Sequence, residues 1–514
     1  VTASNERTAA PPETATPGKA AASHHRPGAV LAVIAGCQLM IGVDSSVVTI
    51  ALPEVQRGLG LSTGGLAWVQ NAYMLAFGGL LLLGGRAGDV FGRRRAFTAG
   101  IALFTAASLL GGLAGAGWWL IAARAGQGVA AAVAAPSAMA LIAQHFSGQA
   151  RVRALSVFSA VTGAGAAVGM VAGGLLTEAG SWRWVFFVNV PAGLVLLPAA
   201  LRVLGGTRRR PGRAESGRAG HPGLARPGLA RPGLARPGLA RPGLARPGLG
   251  RFDLGGAVTS TGGLTALVYA LIRAGSDGWG DRRALAAFGA AAVLLAAFVL
   301  TERRARRPVM PLWLLTGRDR AASYLAQLLL TAAMFGSFFF LTQYLQQVLH
   351  YGPLRAGAAF LPMVGTQFAV VRLAPRLMAR VGARPVVIAG ALLIATGLLW
   401  LSRLSPGDGY AAGVLVPFLL MGAGGGMSVM PLNAVILASV EPEHAGSASG
   451  IAQTMLWTGG SLGSAAMVTA YGAASGHGVA QGMDAAFAAG GLFAAAALAV
   501  AVLVLRVPPV SPGR

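Results

Sequence analysis

Charge is scarce in this sequence, and negative charge scarcer still. Of 514 residues 11% are charged, with 16 Asp or Glu against 41 Lys or Arg. A soluble domain carries about 25% charged residues, so a soluble chain of this length would lack the surface to keep it in water. Lysine is nearly missing, since Lys19 is the only one and arginine supplies every other basic side chain. Cysteine occurs once, as Cys37, so no intramolecular disulfide forms and the redox compartment leaves no trace. A nucleotide-binding loop is missing too. Gly424-Gly425-Gly426 lies in an apolar run with no Lys-Ser/Thr after it, so the phosphate cradle is incomplete. No cluster of metal ligands is visible, and no cofactor or metal is expected.

Apolar sequence fills the space. Hydrophobic residues make up 54%, mean hydropathy is +0.63, and there are 76 glycines. Glycine is enriched in membrane helices because it lets backbones approach. A net charge of +25 would suggest nucleic acid in a soluble protein. Here the basic residues alternate with long apolar runs and read as topology signals, so no nucleic-acid partner is expected. Residues 1–27 are polar and Ala/Pro/Thr-rich, which predicts a disordered tail. The first apolar run is too long for a signal-peptide core and is expected to remain as an uncleaved span.

A bilayer core takes about 20 apolar residues as helix. Such runs fall at 28–50, 66–85, 98–116, 119–143, 153–178, 183–203, 254–273, 284–301, 321–346, 355–372, 384–402, 411–433, 446–472 and 484–506. The third and fourth are the least separated. Cytoplasmic loops collect Lys and Arg. With the N-terminus inside and the spans alternating, inside segments hold 33 basic residues and outside loops 7, leaving Arg124 within a span. The alternation persists to the end of the chain, which predicts fourteen spans with both termini cytoplasmic.

Two repeats stand out. From Pro222 the pentamer Pro-Gly-Leu-Ala-Arg occurs five times, followed by an altered copy at 247–251. Proline blocks regular hydrogen bonding and glycine adds freedom, so a disordered cytoplasmic linker is expected. The second repeat is the chain against itself. The segment after the second span, Gly85 to Arg95, has a counterpart in Pro375 to Pro385, sharing a glycine and flanking arginines but not the acid. Glycines at 165, 169, 173 and 174 in the fifth span match Gly459, Gly460 and Gly463 in the thirteenth. Two six-helix repeats imply a transporter with a site between its halves. The expected plan is an all-α membrane protein. A tail at 1–27 precedes an N-terminal six-helix bundle at 28–203 and a linker at 204–253. Two inserted helices at 254–301 and a cytoplasmic loop at 302–320 lead to a C-terminal six-helix bundle at 321–506, with a cytoplasmic tail at 507–514.

Physical chemistry singles out a few residues. Asp44 is the one acid well inside a span, where a bare carboxylate costs about 3 kcal/mol. A carboxyl held near neutral can take and release a proton as its access alternates. Ser45, Ser46 and Thr49 beside it also allow bonding within its own helix. Arg124 cannot lose its proton, so it is a partner for an acid or for backbone carbonyls. Asp89, with Arg93 and Arg94, can pair or cap a helix start. Gly85 and Gly92 suit a tight turn. The four-residue spacing of Gly165, Gly169 and Gly173, with Gly174, makes a smooth face for close packing. Gln327, Thr331, Phe338, Thr342, Gln343, Asn433, Gln453 and Trp457 offer polar and aromatic groups for an amphipathic ligand, or for hydrogen bonds between helices.

In these motifs the chain resembles the fourteen-span drug:proton antiporters of the major facilitator superfamily, over about residues 28–506. Gly85–Arg95 resembles the signature between spans 2 and 3, and Leu120 to Gly128, with Arg124 and Gln127, the span-4 motif. The span-5 glycines resemble the antiporter motif, with Met170 where the family usually has proline. Asp44 to Pro53 is similar to the span-1 motif, and Trp182 to Pro191, with Asn189, to another feature of the branch. The resemblance implies proton-coupled efflux of a hydrophobic drug or antibiotic across the plasma membrane. It also implies proton coupling at Asp44 and Arg124, a conformational switch at Gly85, Asp89, Gly92, Arg93 and Arg94, and a gating role for the span-5 glycines. The expected partners are a small-molecule substrate, protons and the lipid bilayer, with the chain a monomer. Proton-independent or uptake transport, a lipid-acting membrane enzyme and a non-transporting scaffold or sensor are the competing readings. No paired carboxylates or nucleophile–base constellation supports the enzyme.

Overall fold

The computed structural model describes residues 27–204, 254–304, 310–404 and 407–506. The expected N-terminal tail, the pentamer linker and the C-terminal tail lie outside the described residues. Helices run through nearly all of what is described, with no strand among those residues.

The fourteen expected spans are present. The first five are α1 (Pro27–Leu59), α2 (Thr63–Phe91), α3 (Arg93–Gly112), α4 (Gly117–His145) and α5 (Gly148–Ala179). The sixth is split into α6 (Trp184–Phe187) and α7 (Asn189–Val203). Then come α8 (Leu254–Asp277), α9 (Arg282–Arg304) and α10 (Arg318–Gln343), the last extended by a π turn at Tyr344–Val348. The tenth span is split into α11 (Pro353–Ala359) and α12 (Leu361–Val381), and α13 (Ala383–Leu401) follows. The twelfth is split into α14 (Leu415–Gly426) and α15 (Val429–Ala438), and α16 (Ala445–Ala474) and α17 (Val479–Leu503) complete the set. Thirteen spans are long and apolar enough to cross a bilayer on that ground alone. The remaining one, α16, has 30 residues and no charged side chain but is rich in Gly, Ser and Ala. The close third and fourth spans are separate helices, parted by a turn at 113–116.

The splits follow proline. Pro191, Pro362 and Pro431 lack the N–H that would bond the carbonyl four residues back, and each ring crowds that carbonyl. The helix breaks just upstream, at Val188, Phe360 and Met427–Ser428. The sequence expectation of a loop over Gly85–Arg95 needs correction. Helix α2 runs through Phe91, and the whole connection to α3 is Gly92 at φ 95°. The counterpart between α12 and α13 is likewise one residue, Gly382 at φ 83°. These φ values favour glycine.

Lipid gives helices no hydrophobic reason to associate, so close backbone approach does the packing. A Cβ on Gly169 would lie 2.1 Å from Ser46 Oγ and 2.6 Å from the Val43 carbonyl, and one on Gly173 2.7 Å from the Val47 carbonyl. A Cβ on Gly165 would lie 3.3 Å from Gly42 Cα. The same device recurs where α10 crosses α16, with a Gly463 Cβ 2.1 Å from the Ala332 carbonyl and a Gly336 Cβ 3.1 Å from that of Gly463. The α8–α9 hairpin packs against α2 through Gly79 and Thr261. It meets α16 where the Thr469 hydroxyl donates to the Leu271 carbonyl at 2.6 Å. One end of the bundle collects Arg86, Arg93–Arg95, Arg151, Arg153, Arg376, Arg380 and Arg384; it is called the arginine-rich end below.

Candidate functional site

Asp44, wholly buried near the middle of α1, anchors a buried polar network. Its Oδ2 accepts from Arg124 Nη1 at 2.7 Å. Its Oδ1 accepts from Gln127 Nε2 at 2.7 Å and from Asn189 Nδ2 at 2.8 Å. Arg124 and Gln127 are one turn apart on α4 and so face the same way, and Arg124 Nη1 also donates to Gln127 Oε1 at 2.9 Å. Gln127 Nε2 reaches Ser108 Oγ of α3 at 2.8 Å, and Arg124 Nε the Val69 carbonyl of α2 at 3.2 Å. The guanidinium lies 4.4 Å from the centre of the Tyr73 ring. Only donors point at the carboxylate, which suits an ionised acid that can only accept. Charge-assisted bonds of this kind are the strong ones.

The hydroxyls beside Asp44 do not bond to it. Ser45 Oγ donates to the Gly42 carbonyl at 2.8 Å, and Thr49 Oγ1 to that of Ser45 at 3.3 Å. Ser46 Oγ likewise returns to its own helix, at 3.1 Å from the Gly42 carbonyl. The partners come from α4 and α7. Sequence reasoning had Gln127 and Asn189 within its motifs but gave them no role, and it passed over Ser108 and Tyr73. Separations of 80, 83 and 145 residues hid the contacts of Asp44 with Arg124, Gln127 and Asn189.

The other candidates divide. At the arginine-rich end Asp89 is exposed and pairs with Arg93 at 3.3 Å, and does not cap α3, whose N-cap is Gly92. Arg93 also reaches the Ala140 carbonyl at 3.4 Å, and Arg94 that of Leu201 at 2.8 Å, tying the joint to α4 and α7. Gly85 is not in a turn. It sits inside α2 with room for a Cβ, 3.7 Å from Pro136 Cβ, while its neighbour Gly84 would clash at 2.1 Å with the Ala132 carbonyl. Gly174 faces away from α1 and toward α11, where its Cβ would lie 2.5 Å from Leu354 Cα. Gln327 and Thr331 lie in the α10–α16 seam. Gln327 Nε2 donates to the Ala452 carbonyl at 3.0 Å, and Thr331 Oγ1 to that of Gln327 at 2.8 Å. Thr342 bonds back to Phe338 at 2.9 Å, Asn433 back to Val429 at 2.9 Å, and Gln343 accepts from Gln347. Gln453 is exposed. Phe338 and Trp457 are joined through Phe335, at ring separations of 6.4 and 5.7 Å. Arg320, left in a loop by the sequence reading, is buried within α10 and donates to the carbonyls of Leu314, Trp313 and Ser439.

Opposite the arginine-rich end, spans 1 and 5 close against spans 9 and 10. Glu178 Oε2 accepts from the Leu354 N–H at 3.0 Å, and Gln346 Nε2 donates to the Ile50 carbonyl at 2.8 Å. The Met170 carbonyl would be 2.3 Å from a Cβ on Gly357. Exposed apolar residues occur along both α5 and α12, Val152, Val157, Val168 and Leu175 on one, Leu361, Val371, Leu373 and Val381 on the other.

Comparison with known proteins agrees with this architecture. Residues 34–464 match the family model for the Major Facilitator Superfamily. A puromycin resistance protein of Streptomyces alboniger is 41% identical over 444 residues, covering 85% of this chain and 80% of that protein. A cephamycin export protein of Amycolatopsis lactamdurans is 39% identical over 450 residues, covering 86% and 85%. Among solved structures, a peptide transporter bound to sulfate superposes with a TM-score of 0.64 at 14% identity, over 93% of each chain, a likeness of fold.

Proposed function

Since the chain belongs to the major facilitator superfamily, as a multi-pass membrane transporter and not an enzyme, we propose that it exports hydrophobic or amphipathic small molecules in exchange for protons, by alternating access. Relatives that confer antibiotic resistance or carry out antibiotic export support the direction and the kind of cargo. The observation that carries the proton-coupled reading is Asp44, a wholly buried carboxylate with Arg124 at 2.7 Å and two amide donors. When protonated, Asp44 would lose the charge that Arg124 pairs with and present an O–H among the donors of Arg124, Gln127 and Asn189, which weakens their hold on it. Proton uptake thus changes how α1 is held by α4 and α7, which is the kind of two-state element that coupling requires.

In this reading the chain sits in the plasma membrane, with the arginine-rich end and both termini in the cytoplasm. The described state is then closed on the outer side through α5, α10 and α11. The joints at Gly92 and Gly382, with Asp89, Arg93 and Arg94 around the first, act as the switch at the inner ends. The glycine face of α5 lets α1 and α11 shift past it. Phe338 and Trp457 belong to the cargo surface.

The test uses purified protein in liposomes with an imposed pH gradient. A panel of lipophilic antibiotics and dyes is added and proton flux recorded for the unaltered protein and for Asp44→Asn. Flux triggered by cargo and lost in the variant is expected. Flux that survives the substitution moves the proton site away from Asp44. Transport of labelled cargo with no proton flux for any compound refutes antiport and favours a uniporter.

A further inference from the structure

We propose that Tyr73 is the positioning residue that transmits movement of the second half of the chain to the Asp44–Arg124 pair, an assignment that rests on the proton-coupled reading above. Tyr73 lies on α2, one turn beyond the Val69 carbonyl that holds Arg124. One face of its ring carries the Arg124 guanidinium at 4.4 Å. Its other neighbours are Phe77 at 5.8 Å and Trp457 of α16 at 6.0 Å and 77°, an edge-on contact. Trp457 has no slack against α2, because a Cβ on Gly78 would meet its Cβ at 2.8 Å. Trp457 in turn touches Phe77 at 4.6 Å and Phe335 at 5.7 Å. Phe335 leads to Phe338 and then to Phe360, at 6.4 and 5.8 Å. A continuous row of rings therefore runs from the buried cation, across the seam between α2 and α16, to the aromatic groups of α10 and the residue joining α11 to α12.

The backbone at Tyr73 cannot absorb a displacement. Its carbonyl lies 2.5 Å from where a Cβ on Gly128 would sit, one turn after Arg124. A push on the ring from Trp457 must then be taken up by the ring itself or by the guanidinium resting on it. A cation over an aromatic face is held by the ring quadrupole, so moving or tilting the ring alters the position at which Arg124 is most stable. Arg124 has no freedom to follow without loosening its bond to Asp44. Cargo that shifts Trp457, or the rocking of α16 against α2, would in this way change the grip on the carboxylate without touching it.

The hydroxyl of Tyr73 gives the test its control. The residue is 1% exposed and its hydroxyl oxygen has no hydrogen-bond partner among the described residues. The ring does the positioning, so Tyr73→Phe is expected to keep the coupling and Tyr73→Leu to lose it. The readout is cargo exported per proton entering, measured in proteoliposomes with a dye that the unaltered protein carries. Tyr73→Leu is expected to lower that ratio about fivefold or more, through proton entry without cargo. A purely structural role would lower the amount and rate of both fluxes and leave the ratio alone, and that result overturns the assignment. So does uncoupling by Tyr73→Phe, which would give the task to the hydroxyl. If Tyr73→Leu does not fold, Trp457→Leu severs the same contact from the other half. It too must lower the ratio, and an unchanged ratio in that variant refutes the proposal. A failure of the underlying reading looks different, since the unaltered protein would then show no proton entry at all.

Discussion

The Asp44–Arg124 pair can be weighed by a double-mutant cycle on stability. Arg124→Ala removes the only cation among the described residues that reaches the wholly buried carboxylate. Removing one partner of a buried pair costs about 3–5 kcal/mol, because the other charge stays behind uncompensated. Asp44→Asn leaves Arg124 in the same position from the other side. The amide also cannot satisfy both of its sides, since Oδ2 faces one donor and Oδ1 two. Whichever way the amide turns, an NH2 meets an N–H donor. Each single substitution is therefore expected to destabilise the protein by about 3–5 kcal/mol. The double substitution removes both charges together, so its cost should be close to that of either single one, giving a coupling energy of about 3–5 kcal/mol. Unfolding in mixed micelles by added denaturing detergent, followed by circular dichroism, measures each corner of the cycle. Costs that simply add, to about 6–10 kcal/mol, would show that the two residues do not depend on each other and would remove the physical basis for a proton-operated pair.

Four further outcomes test the packing and the connecting segments. Gly169→Ala should cost about 1–3 kcal/mol or more by overpacking α1 against α5, since its Cβ would lie 2.1 Å from Ser46 Oγ. Gly85→Ala, with 3.7 Å of room inside α2, should be neutral or stabilising by up to about 1 kcal/mol from helix propensity; thermal stability in detergent compares the two. Gly92→Ala should cost about 1–3 kcal/mol, because φ there is 95°, and transport should fall with no change in cargo preference. In the α8–α9 connection, Asp281 accepts from the Ala284 N–H at 2.9 Å and from Arg273 Nε at 2.8 Å. The backbone bond first and the arginine second hold its carboxyl below the usual carboxylate range. The stabilisation is complete above the ordinary value of about 4 and is lost as pH falls through the lower folded-state value. The protection of the Ala284 amide from exchange, relative to its intrinsic rate, should fall on that acid limb, and Asp281→Asn should remove the pH dependence of the protection.

The helices were legible because each span is a long apolar run and the arginines mark one set of ends. Period and charge carry that information locally. Breaks within spans were not drawn from the sequence, although Pro191, Pro362 and Pro431 signal them, because a run of apolar residues reads the same whether its helix is continuous or broken. The Gly85–Arg95 segment misled for a related reason. Charge and glycine suggested a loop, yet Arg86 sits inside α2, Arg93, Arg94 and Arg95 form the first turn of α3, and one glycine with positive φ completes the connection. Asp44 and Arg124 stood out individually because charge inside a span is costly. Their pairing was beyond reach, since it depends on how α1 and α4 are rotated and placed in depth. Gln327 shows the opposite error. Its polarity and helical position suited a cavity, but α16 lies against that face, and a carbonyl there accepts its side chain.

The two glycine crossings give the strongest reason to assign the charge to one half alone. Gly42 of α1 meets Gly165 of α5, and Gly336 of α10 meets Gly463 of α16. Two residues past the crossing in α1 stands Asp44, and two residues past it in α10 stands Phe338. Where one helix pair holds a carboxylate among three donors, the other holds a ring in contact with Phe335 and Phe360. A matching acid in α10 would need its own arginine and amides, and the surroundings of Phe338 include no such group among the contacts described. On the proton-coupled reading proposed above, the corresponding positions would divide two tasks that interfere if combined. An apolar, aromatic surface favours a hydrophobic cargo through burial, while a carboxylate beside it would have to be desolvated by that same cargo. On the proposal above, an acid buried behind Tyr73 would be acted on by the cargo mechanically rather than by contact. Phe338→Asp should then impair cargo binding without supplying a second proton site, because the new carboxyl would have no donor set to release it from. Measured protons per cargo molecule should stay at the unaltered value in whatever transport remains, and an increase would refute the division of tasks.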